Sequence, residues 1–323
     1  MSKSTRSRST RSSRSAQRRS PEIVPVRMPD ASTSGVRLFD AATSSPSSSS
    51  AGATGDRQLP LVVIWPGFGM GARYYDPIAW ELADRGFPVA TGELRGQGSS
   101  TAKASRFSRW GYHQLASQDY PRTIHGVKRH LDLPDDYPTV LLCHSMGGQI
   151  ASLFIARPEA AELNVIGVQG VGAGSPYWGG FGSPEKYRLR FGTYLVRATV
   201  ALWGYQPEGV LDLAGYGRQA GPHLSEWFRY AHTNRLNKLA GQDMDYEAAK
   251  RTVTTPVLLT RFGNDVDCPM ASAQNLAADL PHAAAPGSDG PAVEELPGEL
   301  GHNRWAREPD VVAGRLEEFV KKL

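Results

Sequence analysis

The chain has 323 residues, 40% of them hydrophobic, and no apolar run of about 18 residues, so it can bury one large core and lacks a transmembrane signature. Two cysteines, Cys143 and Cys268, exclude a disulfide-built scaffold and read as small packing residues, which makes the cytoplasm the default expectation. The net charge of +4 misleads: residues 1–20 hold seven Lys or Arg and no acid, so the rest of the chain sums to −3.

That first segment alternates Ser or Thr with Arg and has nothing apolar to bury, so residues 1–20 are expected to form a disordered basic tail. It lacks the apolar stretch of a secretory signal. Its charge would also suit nucleic acid or an anionic surface, but a solvated extension accounts for the composition without either partner. Next come two extended segments, Ile23–Met28 and Val36–Asp40, separated from the following strand by the low-complexity run Thr43–Gly55, which reads as a lengthened hairpin loop. Leu61–Trp65 is a continuous apolar run and hence a buried strand, followed by the turn Pro66-Gly67-Phe68-Gly69-Met70-Gly71. A helix over Tyr75–Arg85, a strand over Phe87–Thr91 and the loop Glu93-Leu-Arg-Gly-Gln-Gly-Ser99 follow, and a helical stretch carries His113, His125 and His130.

The most informative stretch is Thr139–Ala151, where an apolar strand runs into Cys143-His144-Ser145-Met146-Gly147 and then a helix start. A turn this sharp stands its central hydroxyl clear of a sheet edge and aims the next backbone N–H at a developing oxyanion, and it needs small neighbours because strand and helix nearly touch. Beyond a strand at Asn164–Val168 lie about 80 residues with helical spacing and many rings, including Tyr177, Trp178, Phe181, Tyr194, Trp203, Tyr205, Trp227, Phe228 and Tyr230. Most must pack this segment's own core, leaving roughly two or three for a ligand. The strand Thr255–Thr260, the loop Gly263–Pro269, the tripeptide Gly301-His302-Asn303 and a helix over Pro309–Lys322 complete the chain.

Four of these pieces in register resemble the α/β-hydrolase superfamily. The Ser145 turn is similar to its nucleophile elbow G-x-S-x-G, with Cys143 in the first glycine's place. The loop at Glu93 resembles D-x-R-G-x-G-x-S with Glu for Asp, the loop before Pro269 resembles the acid loop G-x-x-D-x-x-x-P, and His302 stands where the family carries its histidine. Within the superfamily the chain looks like bacterial serine hydrolases whose oxyanion loop begins with proline and which carry a segment like Gly174-Ser-Pro-Tyr-Trp178. The resemblance implies an α/β fold: a mostly parallel central sheet, helices on both faces, and a helical cap inserted after the sixth strand at about 175–252, in a domain spanning 21–323.

It also implies roles. Ser145 would be the nucleophile, His302 the base, and Asp265, counted back from Pro269 and preferred to Asp267, its orienting acid; the N–H groups of Phe68 and Met146 would form the oxyanion hole. Glu93 and Asp119 read as structural ties. The expected reaction is hydrolysis of a carboxylic ester with a small to medium hydrophobic part, by way of an acyl-enzyme. No cofactor or metal is expected, since no cluster of His, Cys or acids has ligand spacing. Three alternatives stay open: an acyltransferase using the same triad, a non-catalytic binder on the same scaffold, and a dinucleotide-binding oxidoreductase, because Gly67-Phe-Gly69-Met-Gly-Ala72 with Glu93 also satisfies that fingerprint.

Overall fold

The computed structural model describes residues 19–39, 59–209, 212 and 215–323. Most of the basic tail and the run Thr43–Gly55 fall outside them. Arg19 lies 4.4 Å over the Trp80 ring and pairs with Asp84, so the chain already touches the body two residues before Pro21.

The central sheet has the order β1-β2-β4-β3-β5-β6-β9-β10. Its strands are β1 Glu22–Arg27, β2 Thr33–Phe39, β3 Leu61–Trp65, β4 Val89–Thr91, β5 Thr139–His144 and β6 Val165–Val171, then β9 Val257–Phe262 and β10 Ala292–Leu296; β7 Tyr205–Gln206 and β8 Gln219–Ala220 form a separate antiparallel ribbon. β1 pairs antiparallel with β2 and β2 with β4, while every pairing from β4 to β10 is parallel.

β3 shows why its sequence is apolar without interruption. Leu61, Val63 and Trp65 enter the core on one face, and Val62 and Ile64 enter the core on the other, so no position faces water. The first core is closed by the helices Tyr120–His130, Met146–Phe154 and Met270–Ala277, the second by Asp76–Asp84 and Asp310–Lys322.

The chain leaves β3 for β4 on one side and later enters β5 on the other. This reversal opens a crevice beyond the strand ends, where parallel sheets place ligands. Register levels those ends: Trp65 lies opposite Cys143, His144 opposite Val171, and Val171 opposite Thr260. The loops carrying Phe68, Ser145 and Asp265 therefore emerge side by side. Between β6 and β9 the chain makes the helices Thr193–Trp203, Gly221–Thr233 and Tyr246–Lys250 and the short β7–β8 ribbon.

Several boundaries differ from the sequence expectations. β2 starts at Thr33, β4 begins two residues after Phe87, and β6 continues to Val171 through Gln169 and Gly170, whose fully buried places their polarity and small size disguise. β10 was not expected at all. Its Glu294 and Glu295 look like a surface run, yet they are held by Arg315 and Arg261 at the sheet edge.

Candidate active site

Ser145 sits at φ 51°, ψ −117°, a region where a side chain is strained by on the order of 1–3 kcal/mol. The strain persists because neighbours on both sides fix the turn. Ser145 N–H donates to Val171 O at 3.0 Å, and a Cβ on Gly147 would come within 2.9 Å of the Trp65 carbonyl. Cys143 takes the elbow's first small position, its thiol buried near Tyr120, and burial pushes that thiol up, as it pushes Cys268 up to about 12. Both cysteines are free and buried, matching the packing role read from sequence.

His302 Nε2 lies 3.0 Å from Ser145 Oγ, and its Nδ1 lies 2.9 Å and 3.0 Å from the two Asp265 oxygens. Asp265 is buried, and its Oδ1 also accepts the N–H groups of Asp267 and Cys268 at 3.0 and 2.9 Å. The residue between the β6 end and this pair must be glycine. Gly172 has φ +59°, and a Cβ there would meet His302 Nδ1 at 2.9 Å and Asp265 Oδ2 at 3.0 Å.

Phe68 and Met146 line the same cavity as Ser145 and His302, about 320 Å³ in volume, and among the described residues no protein acceptor takes the N–H of either. Asp267, the competitor for the acid's place, points elsewhere: it pairs with Arg188 at 2.7 Å at the cavity mouth. Glu93 and Asp119 are ties, as expected. Glu93 accepts from Ala72 N–H, Ser99 N–H and Ser99 Oγ, and burial pushes its carboxyl up to about 7 despite these bonds; Asp119 clasps the backbone and guanidinium of Arg95. With its carboxylate so engaged, Glu93 is not placed to hold a ribose, and the Gly67–Ala72 turn serves the cavity instead.

Residues 57–172 match the family model described as serine aminopeptidase, S33. That stretch carries the Phe68 turn, Glu93 and Ser145 and stops short of Asp265 and His302. Among solved structures, an esterase from Exiguobacterium antarcticum aligns with a TM-score of 0.56 at 17% identity, over 93% of this chain and 100% of that one. The chain has the α/β-hydrolase fold. An enol-lactonase from Burkholderia xenovorans and a bromoperoxidase from Bacillus anthracis each align with a TM-score of 0.53 at 15% identity, covering 93% of this chain and 100% of theirs. No curated protein matches the sequence.

Sequence reading left open which rings shape this cavity. Of the rings named between β6 and β9, Phe181 and Trp227 line it, whereas Tyr194 and Trp203 are exposed and Tyr230 is buried away from it. Tyr216, not singled out before, forms a wall with its ring centroid 4.4 Å from that of Phe68. A signal was available: Gly215 and Gly217 flank it at φ +72° in open space, and Asp212 accepts the N–H groups of Tyr216 and Gly217 to hold the turn.

His144 stands next to Ser145 in the elbow. It is buried, and desolvation holds its pKa well below the ordinary histidine value, so it is neutral. Its Nε2–H donates to His302 O at 2.9 Å; its Nδ1 receives the Tyr75 hydroxyl at 2.6 Å, and that hydroxyl in turn accepts Gly67 N–H at 3.0 Å. One chain of hydrogen bonds thus joins the loop before Phe68 to the backbone of His302. Among the described residues no group of three His, Cys, Asp or Glu is arranged to hold a metal, and no helix is long and apolar enough to cross a membrane.

Proposed function

We propose that this α/β-hydrolase is a serine hydrolase that cleaves carboxylic esters through an acyl-enzyme, with the segment at about 175–252 acting as a cap over Ser145. The observation that carries this reading is the unbroken line from Asp265 through His302 to Ser145 Oγ, at 2.9 and 3.0 Å, on a strained elbow. In this mechanism Asp265 accepts the Nδ1–H of His302, which leaves the Nε2 lone pair to take the Ser145 proton as Oγ attacks the ester carbonyl. The carbonyl oxygen moves toward the N–H groups of Phe68 and Met146, which favour the charge it gains. Collapse expels the alcohol with the proton held on Nε2. Water, deprotonated by the same nitrogen, then adds to the acyl-enzyme and releases the acid.

The test is labelling with a fluorophosphonate alongside hydrolysis of p-nitrophenyl acetate. The wild type should gain the mass of one adduct and release nitrophenol, while Ser145→Ala and His302→Ala should do neither. Equal labelling or turnover by the Ser145→Ala protein would refute the mechanism.

A further inference from the structure

A second cavity, about 240 Å³, adjoins the first and shares Arg188, Leu189, Tyr216 and Trp227 with it. It runs under the helix Thr193–Trp203, with Leu195, Val196 and Thr199 on one wall and Leu224 and Trp227 of Gly221–Thr233 on the other. Polar groups in these walls already have partners inside the fold. Thr199 Oγ donates to Gln206 Oε1, Thr193 Oγ donates to the Leu189 carbonyl at 2.7 Å, Gln219 donates to the Tyr216 carbonyl, and the Asp212 carboxylate holds the Tyr216 turn. A polar ligand group entering here would lose water without finding replacements, whereas an apolar one would gain by leaving water.

Position decides which half of an ester enters. The neck is walled by Arg188, Leu189, Tyr216 and Trp227; Arg188 is held by Asp267, while the Tyr216 and Trp227 rings pack on Phe68 at centroid distances of 4.4 and 6.2 Å, so the aromatic wall of the neck opens on the Phe68 side of Ser145. The departing alcohol must lie within reach of His302 Nε2 to be protonated. We infer that this second cavity is an acyl chamber, which receives the unbranched hydrocarbon chain of the substrate's acid part. The inference rests on the ester-hydrolase reading and names its substrate class. At ~30 Å³ for a group of water's size, the chamber takes roughly six to eight carbons.

The experiment compares p-nitrophenyl esters from acetate to dodecanoate with acetates of alcohols from ethanol to octanol, on wild type, Val196→Phe and Val196→Ala. Each methylene the chamber accepts should raise kcat/KM by up to about fourfold, so the acyl series should climb to about octanoate while the alcohol series stays flat. In Val196→Phe the octanoate-to-acetate ratio should fall by at least about 20-fold with acetate turnover within about twofold of wild type; in Val196→Ala the maximum should move to longer acids. An unchanged ratio in a Val196→Phe protein that still cleaves acetate, or a rise along the alcohol series that this variant removes, would overturn the assignment. If wild type cleaves no ester, the hydrolase reading fails by itself, and the chamber is read by calorimetric titration with octanoate. Binding lost in Val196→Phe would uphold it, and equal binding or none in wild type would sink it.

Discussion

Replacing Asp265 by Asn tests the triad at its least visible member. The Asp265 Oδ1 position accepts two backbone N–H groups, from Asp267 and Cys268, so the Asn oxygen must stay there. Its NH₂ then takes the Oδ2 place, 2.9 Å from His302 Nδ1, and donates to it. Nδ1 becomes an acceptor, the ring proton moves to Nε2, and Nε2 can no longer take the proton of Ser145 Oγ at 3.0 Å. A wrong tautomer of this kind lowers kcat by about 10⁴, or about 5.5 kcal/mol of barrier at 1.36 kcal/mol per decade. Asp267→Asn loses an ion pair with Arg188 whose side chains are 42% and 62% exposed, a contact worth ~0–1 kcal/mol, so its kcat should stay within about fivefold of wild type. Because the two backbone bonds survive in Asp265→Asn, its melting temperature should stay near that of wild type, which separates lost chemistry from lost fold. Ester turnover and a thermal melt on both variants decide the matter: an Asp265→Asn enzyme within tenfold of wild type, or a crippled Asp267→Asn, would refute the assignment.

Two further outcomes follow from the same geometry. Ser145→Gly should abolish turnover yet raise stability by about 1 kcal/mol in denaturant titration, because glycine takes φ 51° without strain; a destabilised Gly variant would show that the elbow is relaxed. The Glu93 carboxyl, raised from 4.5 to about 7 by burial, is favoured neutral in the fold, so its contribution is full below about pH 4.5 and is lost as pH climbs through 7, by on the order of 3 kcal/mol. Wild type minus Glu93→Gln stability, measured from pH 4 to 8.5, should fall across that window, and a flat difference would contradict the burial argument.

What could be read from the sequence is what local backbone geometry demands. The elbow needs small residues around Ser145, the buried parallel strands need unbroken apolar runs such as Leu61–Trp65, and each constraint is written within a few adjacent positions. β10 escaped because it is a sheet edge, where Glu294 and Glu295 are tolerated by pairing with Arg315 and Arg261, residues 21 and 34 positions away. Tyr216 escaped because a ring in a glycine-flanked loop carries no periodicity; it becomes a wall when Phe68 packs against it from 148 residues upstream.

His144 marks the boundary between these two kinds of information. Strand alternation alone says that, if Cys143 faces the core that holds Tyr120, His144 must face the other side of β5, toward Tyr75 and Trp305. Nothing local says that the turn before Trp305 will bring the His302 carbonyl to within 2.9 Å of its Nε2, or that the Tyr75 hydroxyl will supply the acceptor for Gly67 N–H and the donor for Nδ1 together. The relay exists only once β3, β5 and the final turn have met. Its effect is to tie the backbone that precedes Phe68 to the backbone of His302, so that the proposed oxyanion donor and the proposed base cannot shift independently. A neutral His144 is required for this, since an imidazolium has no lone pair on Nδ1 for Tyr75, and burial supplies that neutrality.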